Sequence, residues 1–327
     1  MIEKYLERLL QGYPLEFDEA CALATSTPLV ALVQAADQIR RRFHKDSFDL
    51  CSIINARSGK CSENCKFCAQ SACYDTAIET YELVDSAQAV AQAKENEDHG
   101  VRRFSLVTAG RTVSLEQLER YGKLYRQLRE TTGMALCASM GFLTADKARH
   151  LKDFGVVRYH CNLEASRSFF PQVCSTHSWD EKVETLRIAR DAGLEVCSGG
   201  IIGMGETFQQ RLELAFELRE LGVLSIPLNI LTPIPNTPFA DLKPLSLDEV
   251  LSCVAMFRLI NPQAVIRMAG GRMQLAAEQY RCFTSGANGA IVGNYLTTAG
   301  NTLEEDLQML RNLGFSFIDA GEKYHDR

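Results

Sequence analysis

The sequence predicts an α/β protein of the (β/α)8 barrel type with a short helical extension ahead of the barrel. Three observations carry this expectation. The chain has 327 residues, long for one ordinary domain and normal for such a barrel. No Pro/Gly/Ser linker, internal repeat or low-complexity segment divides it. After residues 1–45, eight short apolar runs alternate with amphipathic helical patterns. A doubly wound open sheet is the rival architecture, but it would usually carry fewer units.

Residues 1–45 read as two helices, "IEKYLERLLQG" and "PLVALVQAADQIRRRFH". The barrel is expected over 46–316 and a tail over 317–327. Its strands, in order, are "LCSII", "RRFSLVT", "MALCASM", "VRYHCNL", "LEVCSGGII", "LSIPLNIL", "AVIRMA" and "GAIVG". Helices such as "SAQAVAQAKENEDHG", "SLEQLERYGKLYRQLRETTG", "TADKARHLKDFG" and "SWDEKVETLRIARDAG" lie between them. Each of these four ends in Gly, which adopts the left-handed conformation of a helix C-terminus at little cost. In such a barrel, functional side chains belong at the C-terminal ends of the strands and in the loops that follow.

A net charge of −6 and a pI of about 5.6 argue against a general nucleic-acid binder. The N-terminus is charged and amphipathic and lacks the apolar core of a signal peptide. No run reaches the ~20 apolar residues of a membrane span. A cytoplasmic protein is therefore expected, with neither nucleic acid nor membrane as partner. The cytoplasm is reducing, so twelve cysteines there do not suggest a disulfide framework. Five of them fall between Cys51 and Cys73, which favours metal or redox chemistry.

The densest group is "SGKCSENCKFCAQS", where Cys61, Cys65 and Cys68 follow the first strand at the spacing C-x3-C-x2-C. Structural zinc wants four ligands, usually as two spaced pairs, and no second pair is present at that spacing. Thiolates also suit iron–sulfur clusters, and three protein ligands on a four-iron cluster leave one iron open. The triplet, with Phe67 just before its last cysteine, resembles the signature of the radical S-adenosylmethionine (AdoMet) enzymes. That resemblance implies a 4Fe–4S cluster on Cys61, Cys65 and Cys68 and AdoMet bound beside it, with Phe67 nearby.

From about residue 45 to 316 the chain resembles the biotin synthase family. The similarity lies in "CSENCKFCAQS", "DAGLEVCSGGIIGMGET", "SIPLNIL", "YHCNLEAS", "AVIRMAGGR" and "LTTAG", all collinear with the family's segments. It implies sulfur insertion into dethiobiotin, with Asn162 and Asn229 on the ureido ring, Asn162 also beside AdoMet, and Thr297 and Thr298 near the substrate carboxylate. Asn supplies both donor and acceptor, as a cyclic urea requires; strand-end capping is the alternative role. Glu164 stands where the family has Asp and would meet the AdoMet ribose. Lys182 stands where the family has Arg, keeping the charge for the AdoMet carboxylate without the bidentate fork.

The family holds a second, auxiliary cluster on three cysteines and one Arg. The resemblance maps two of the cysteines onto Cys137 and Cys197, and the Arg onto Arg267. At the third position stands Ser105, a poor iron ligand beside a thiolate. Cys161, in "YHCNL", is expected to take its place in a relocated or different auxiliary cluster; its alternative role is a small buried hydrophobe. Cys73 and Cys174 are further thiols in rim loops. Cys21, Cys253 and Cys282 read as core, and His160 and His177 as structural or rim histidines. The resemblance also implies a flavodoxin- or ferredoxin-type electron donor, sulfur and iron–sulfur assembly proteins, and a homodimer. Ser105 keeps open another radical AdoMet reaction on the same scaffold, such as a mutase or a metallocofactor maturase. A non-catalytic iron–sulfur or zinc module would need no barrel.

Overall fold

The computed structural model describes residues 2–293, 296–297 and 300–317. Three helices, not two, precede the first strand: α1 (Ile2–Leu10), α2 (Phe17–Ser26) and α3 (Leu29–His44). The sequence reading passed over α2 because its start carries none of the usual Ser/Thr/Asp/Asn caps. Glu16 caps it instead, in a reciprocal box with Glu19, and only Ala20 and Leu23 are fully buried.

Nine parallel strands then form one sheet: β1 (Asp49–Arg57), β2 (Arg103–Thr108), β3 (Ala135–Ser139), β4 (Val156–His160), β5 (Glu195–Cys197), β6 (Gly200–Ile202), β7 (Ser225–Ile230), β8 (Val265–Met268) and β9 (Gly289–Ile291). Their order is β5-β4-β3-β2-β1-β9-β8-β7-β6. The two ends of that order, β5 and β6, are halves of one strand interrupted at Ser198–Gly199, so the sheet closes into an eight-membered ring. Backbone bonds span the break on both sides: Cys161 N to Cys197 O (3.1 Å), Ser198 N to Ser225 O (3.1 Å) and Glu164 N to Gly199 O (3.2 Å). The interruption needs glycine. A Cβ on Gly199 would lie 1.9 Å from the Pro227 carbonyl oxygen.

Helices coat the ring. Several start on a Ser or Thr whose side chain accepts the N3 amide, at Ser114, Thr144, Ser178, Thr207, Ser246 and Thr302. The helix Leu247–Ile260 packs against both α3 and the helix Phe208–Glu220, and so is buried almost all round. The main apolar core lies between strands and helices. A second, smaller cluster of Ala165, Phe169, Val173, Met204 and Leu231, with Phe67 packed on it, sits at the C-terminal rim. No helix among the described residues is long and apolar enough to cross a membrane.

Candidate active site

The interior opens as a cavity of about 430 Å³, and every expected site residue that is described lines it. Thr298 lies outside the described residues.

Its mouth is the loop after β1. Gly59 (φ 75°) and Lys60 (φ 54°) turn the chain, and the loop then closes on itself. Cys61 N donates to Gln70 O (3.0 Å), Ala72 N to Cys61 O (2.7 Å), and Cys68 N to Cys65 O (3.0 Å). The Gln70 side chain accepts from Gly59 N at 3.1 Å. Lys66 is tied to Val173 and Phe239 by its backbone, and Phe67 is anchored in the rim cluster. The three half-buried thiols thus face one opening from one rigid turn. Burial pushes the Cys61 thiol up and Cys68 to about 11. A bound cation would reverse that penalty, because metal ligation requires thiolates.

Behind the loop lie Cys174 and His177, which the sequence reading placed in the rim without a partner. Cys174 hydrogen-bonds Cys65, which lowers Cys174 and raises Cys65. The Cys174 sulfur is 3.3 Å from His177 Nδ1, and His177 Nδ1 is 2.6 Å from Glu63 Oε2. Arg111 in turn bonds Glu63 at 3.1 Å. Cys174 therefore belongs to the mouth, and His177 buttresses it.

On the opposite wall, Glu164 takes a left-handed conformation (φ 71°), which aims its carboxylate at Lys182 Nζ (3.7 Å) and Asn162 Nδ2 (3.3 Å). Burial alone would discharge Lys182, but Glu164 and the nearby thiols outweigh it and raise its pKa. Asn162 and Asn229 clamp the broken strand from its two sides. Asn162 Oδ1 accepts from Gly199 N (3.0 Å); Asn229 Nδ2 donates to Gly200 O (3.1 Å) and its Oδ1 accepts from Gly270 N (2.9 Å). Each amide keeps further donor and acceptor capacity. The capping role and the cavity-lining role thus coexist in both residues.

The deep end is charged and sulfur-rich. Cys197 receives a bond from Ser225 Oγ at 3.3 Å and has His160 Nδ1 at 3.3 Å. Burial opposes its ionisation, yet His160, Arg267 and Arg158 bring it down to about 6. Arg267 donates to Ser225 Oγ (2.9 Å) and Asp49, while its buried Nε has no partner among the described residues. Burial would raise Asp49, but Arg267, Arg103 and Arg158 hold it below the ordinary carboxylate range. Cys137 and Ser105 face the cavity side by side in register.

Cys161 does not join the deep group as the sequence reading expected. It follows the end of β4, beyond Arg158 and His160, and although it lines the cavity it also packs with the apolar core. Its charged neighbours are Lys182 and Glu164, not the deep thiols or Arg267. The residue sequence reasoning missed is Cys51 on β1, buried, lining the cavity, with Arg267, Cys137 and Cys197 as electrostatic neighbours. Its signal was present in "LCSII", an interior strand already counted.

Residues 56–218 match the Radical SAM superfamily model, and residues 227–316 match the Biotin and Thiamin Synthesis associated domain. The chain is 56% identical to the biotin synthase of Desulfotalea psychrophila over 326 residues, covering 99% of this chain and 97% of that protein. It is 49% identical to the biotin synthase of Acetivibrio thermocellus over 308 residues, covering 94% and 96%. In fold it resembles methylornithine synthase (TM-score 0.82, 18% identity, 97% and 98% covered). It is also similar to the FeFe-hydrogenase maturase HydG of Carboxydothermus hydrogenoformans (TM-score 0.81, 18% identity, 98% and 80% covered).

Proposed function

The chain belongs to the biotin synthase family, and from that premise we propose that it inserts sulfur into dethiobiotin by radical AdoMet chemistry. One observation carries the reading. A single cavity has three clustered thiols at its mouth, two carboxamides midway, and at its floor thiols with a guanidinium nitrogen that has no partner among the described residues.

The donor sets fit the two groups the family implies. Cys61, Cys65 and Cys68 are soft ligands on one loop, suited to a 4Fe–4S cluster. Cys137, Cys197 and Arg267 suit the auxiliary iron–sulfur site, and the orphaned Arg267 Nε marks a missing acceptor at that point. When bound, the mouth cluster with AdoMet supplies a carbon radical able to abstract hydrogen, and the auxiliary cluster supplies sulfur.

The protein's own residues bind, orient and shield. Lys182, held charged by Glu164, faces the AdoMet carboxylate, and the Glu164 carboxylate accepts from ribose hydroxyls. Phe67 packs beside them. The free donor and acceptor positions of Asn162 and Asn229 take the ureido ring, and a ligand lacking that ring would leave them unpaired. Thr297, with Thr298, receives the substrate carboxylate. Ile53, Val107, Ile201 and Ile291 exclude water between mouth and floor, and the rigid strands fix the target carbons between the two groups. The reading carries with it a flavodoxin- or ferredoxin-type electron donor, sulfur and iron–sulfur assembly proteins, a homodimer and a cytoplasmic location.

Anaerobic reconstitution with iron and sulfide, followed by AdoMet, reductant and dethiobiotin, tests it. Biotin and 5′-deoxyadenosine are both expected by mass spectrometry. Deoxyadenosine without biotin, from protein loaded at both sites, would point to another radical AdoMet reaction.

A further inference from the structure

We propose that Cys51, not Cys161, is the third thiolate of the auxiliary iron–sulfur site, completing a ring with Cys137, Cys197 and Arg267. The inference rests on the family reading above and concerns which of this chain's residues hold that group.

The warrant is the register of the barrel. In an eight-stranded barrel with shear 8, inward side chains stack in layers of four from alternate strands, each two residues further along than the register partner two strands away. Start from Cys51 on β1. It pairs with Arg103, which pairs with Ala135 on β3, and two residues on is Cys137. Cys137 pairs with Arg158, which pairs with Glu195 on β5, and two residues on is Cys197. The ladder Gly200↔Leu228, followed back across the break where Ser198 N bonds Ser225 O, sets Cys197 opposite Ser225. Ser225 pairs with Val265 on β8, and two residues on is Arg267. Arg267 pairs with Gly289, which pairs with Asp49, and two residues on is Cys51 again. The circuit closes on its starting residue. One layer of the barrel therefore consists of three cysteines and one arginine.

The same procedure sorts the other candidates. From Ser105 it runs through His160, Pro227 and Ile291, the layer directly above. The vacated family position thus lies one layer from the ring, and Cys51 restores the lost thiol on the neighbouring strand. Below the ring, Arg103, Arg158 and Ser225 belong to the next layer. The basic members offer positive charge to an anionic group, and Ser225 already contacts both Cys197 and Arg267. Cys161 lines the cavity but lies past the end of β4, so the register assigns it to none of these layers.

Iron binding separates the possibilities without relying on turnover. The background is full-length protein with Cys61, Cys65 and Cys68 all replaced by Ala, which removes the mouth's ligands. After anaerobic reconstitution, iron, acid-labile sulfide and Mössbauer spectra report the floor alone. The background is expected to keep floor iron. Adding Cys51→Ala, or the nearly isosteric Cys51→Ser with its fold verified by circular dichroism, should remove most of that iron, because thiolates hold such clusters. Adding Cys161→Ala should leave it unchanged. Full iron in the folded Cys51 variants, or loss in Cys161→Ala, overturns the assignment and leaves the auxiliary site standing. A background holding no iron overturns the auxiliary site itself, and the assignment with it.

Discussion

The loop at the cavity's mouth and the cavity's floor each gather three thiols, but by different means. At the mouth, Cys61, Cys65 and Cys68 come from one loop, and backbone bonds within that loop hold them. At the floor, Cys51, Cys137 and Cys197 come from three separate strands, and the whole barrel must close before they meet. Local assembly leaves a mark in the sequence as a spacing. Assembly by topology leaves only parity within each strand, which has meaning once the strands are in register. The surroundings differ too. The mouth thiols are half-buried and one of them is shared with Cys174, whereas the floor thiols are buried beside arginines.

The largest expected effect is at the mouth. Replacing Cys61, Cys65 or Cys68 with Ala should abolish both deoxyadenosine and biotin while sparing floor iron. Deoxyadenosine persisting in all three variants would break the distinction between the two regions. At the floor, Cys197→Ala should abolish biotin yet allow AdoMet cleavage to continue, seen as deoxyadenosine without product. Equal loss of both would mean the two regions do not act separately.

Between them, Asn229→Ala should weaken dethiobiotin binding roughly 10- to 100-fold, the ~1–3 kcal/mol expected when buried polar groups lose their partners. Iron at both sites should stay intact. Calorimetric titration in the presence of AdoMet checks this, and unchanged affinity would remove Asn229 from the ureido pocket. The variant also releases the bonds to Gly200 and Gly270, so a thermal melt should accompany it.

The smallest effect lies outside both regions and tests the frame that holds them. Burial and then Arg258 lower His44 from its ordinary 6.5 to about 4. A depressed pKa means the neutral form is favoured in the folded state, so its stabilisation is complete above pH 6.5 and is lost as pH falls toward 4. Denaturant melts of apo-protein between those values should show a shallower decline for His44→Gln than for the parent. Parallel declines would contradict the assignment.

How much was legible depended on how far apart the cooperating residues lie. The sequence by itself determined the alternating architecture, because eight apolar runs separated by capped amphipathic helices admit few other packings. It determined the mouth thiols, whose spacing is their geometry, and it marked Ser105 as a departure. It passed over α2, whose glutamate cap and sparse apolar face give little periodic signal. It also chose Cys161 for the missing ligand, as the one strand thiol weighed in place of Ser105, and passed over Cys51. The proposal of Cys51 rests on tertiary structure alone. Whether a strand residue faces the cavity or the helices depends on parity, and which inward residues share a height depends on the stagger between strands. Neither quantity exists in the chain before the ring closes at Ser198–Gly199, where strand direction, register and the glycine break together bring Cys51, Cys137, Cys197 and Arg267 into one layer.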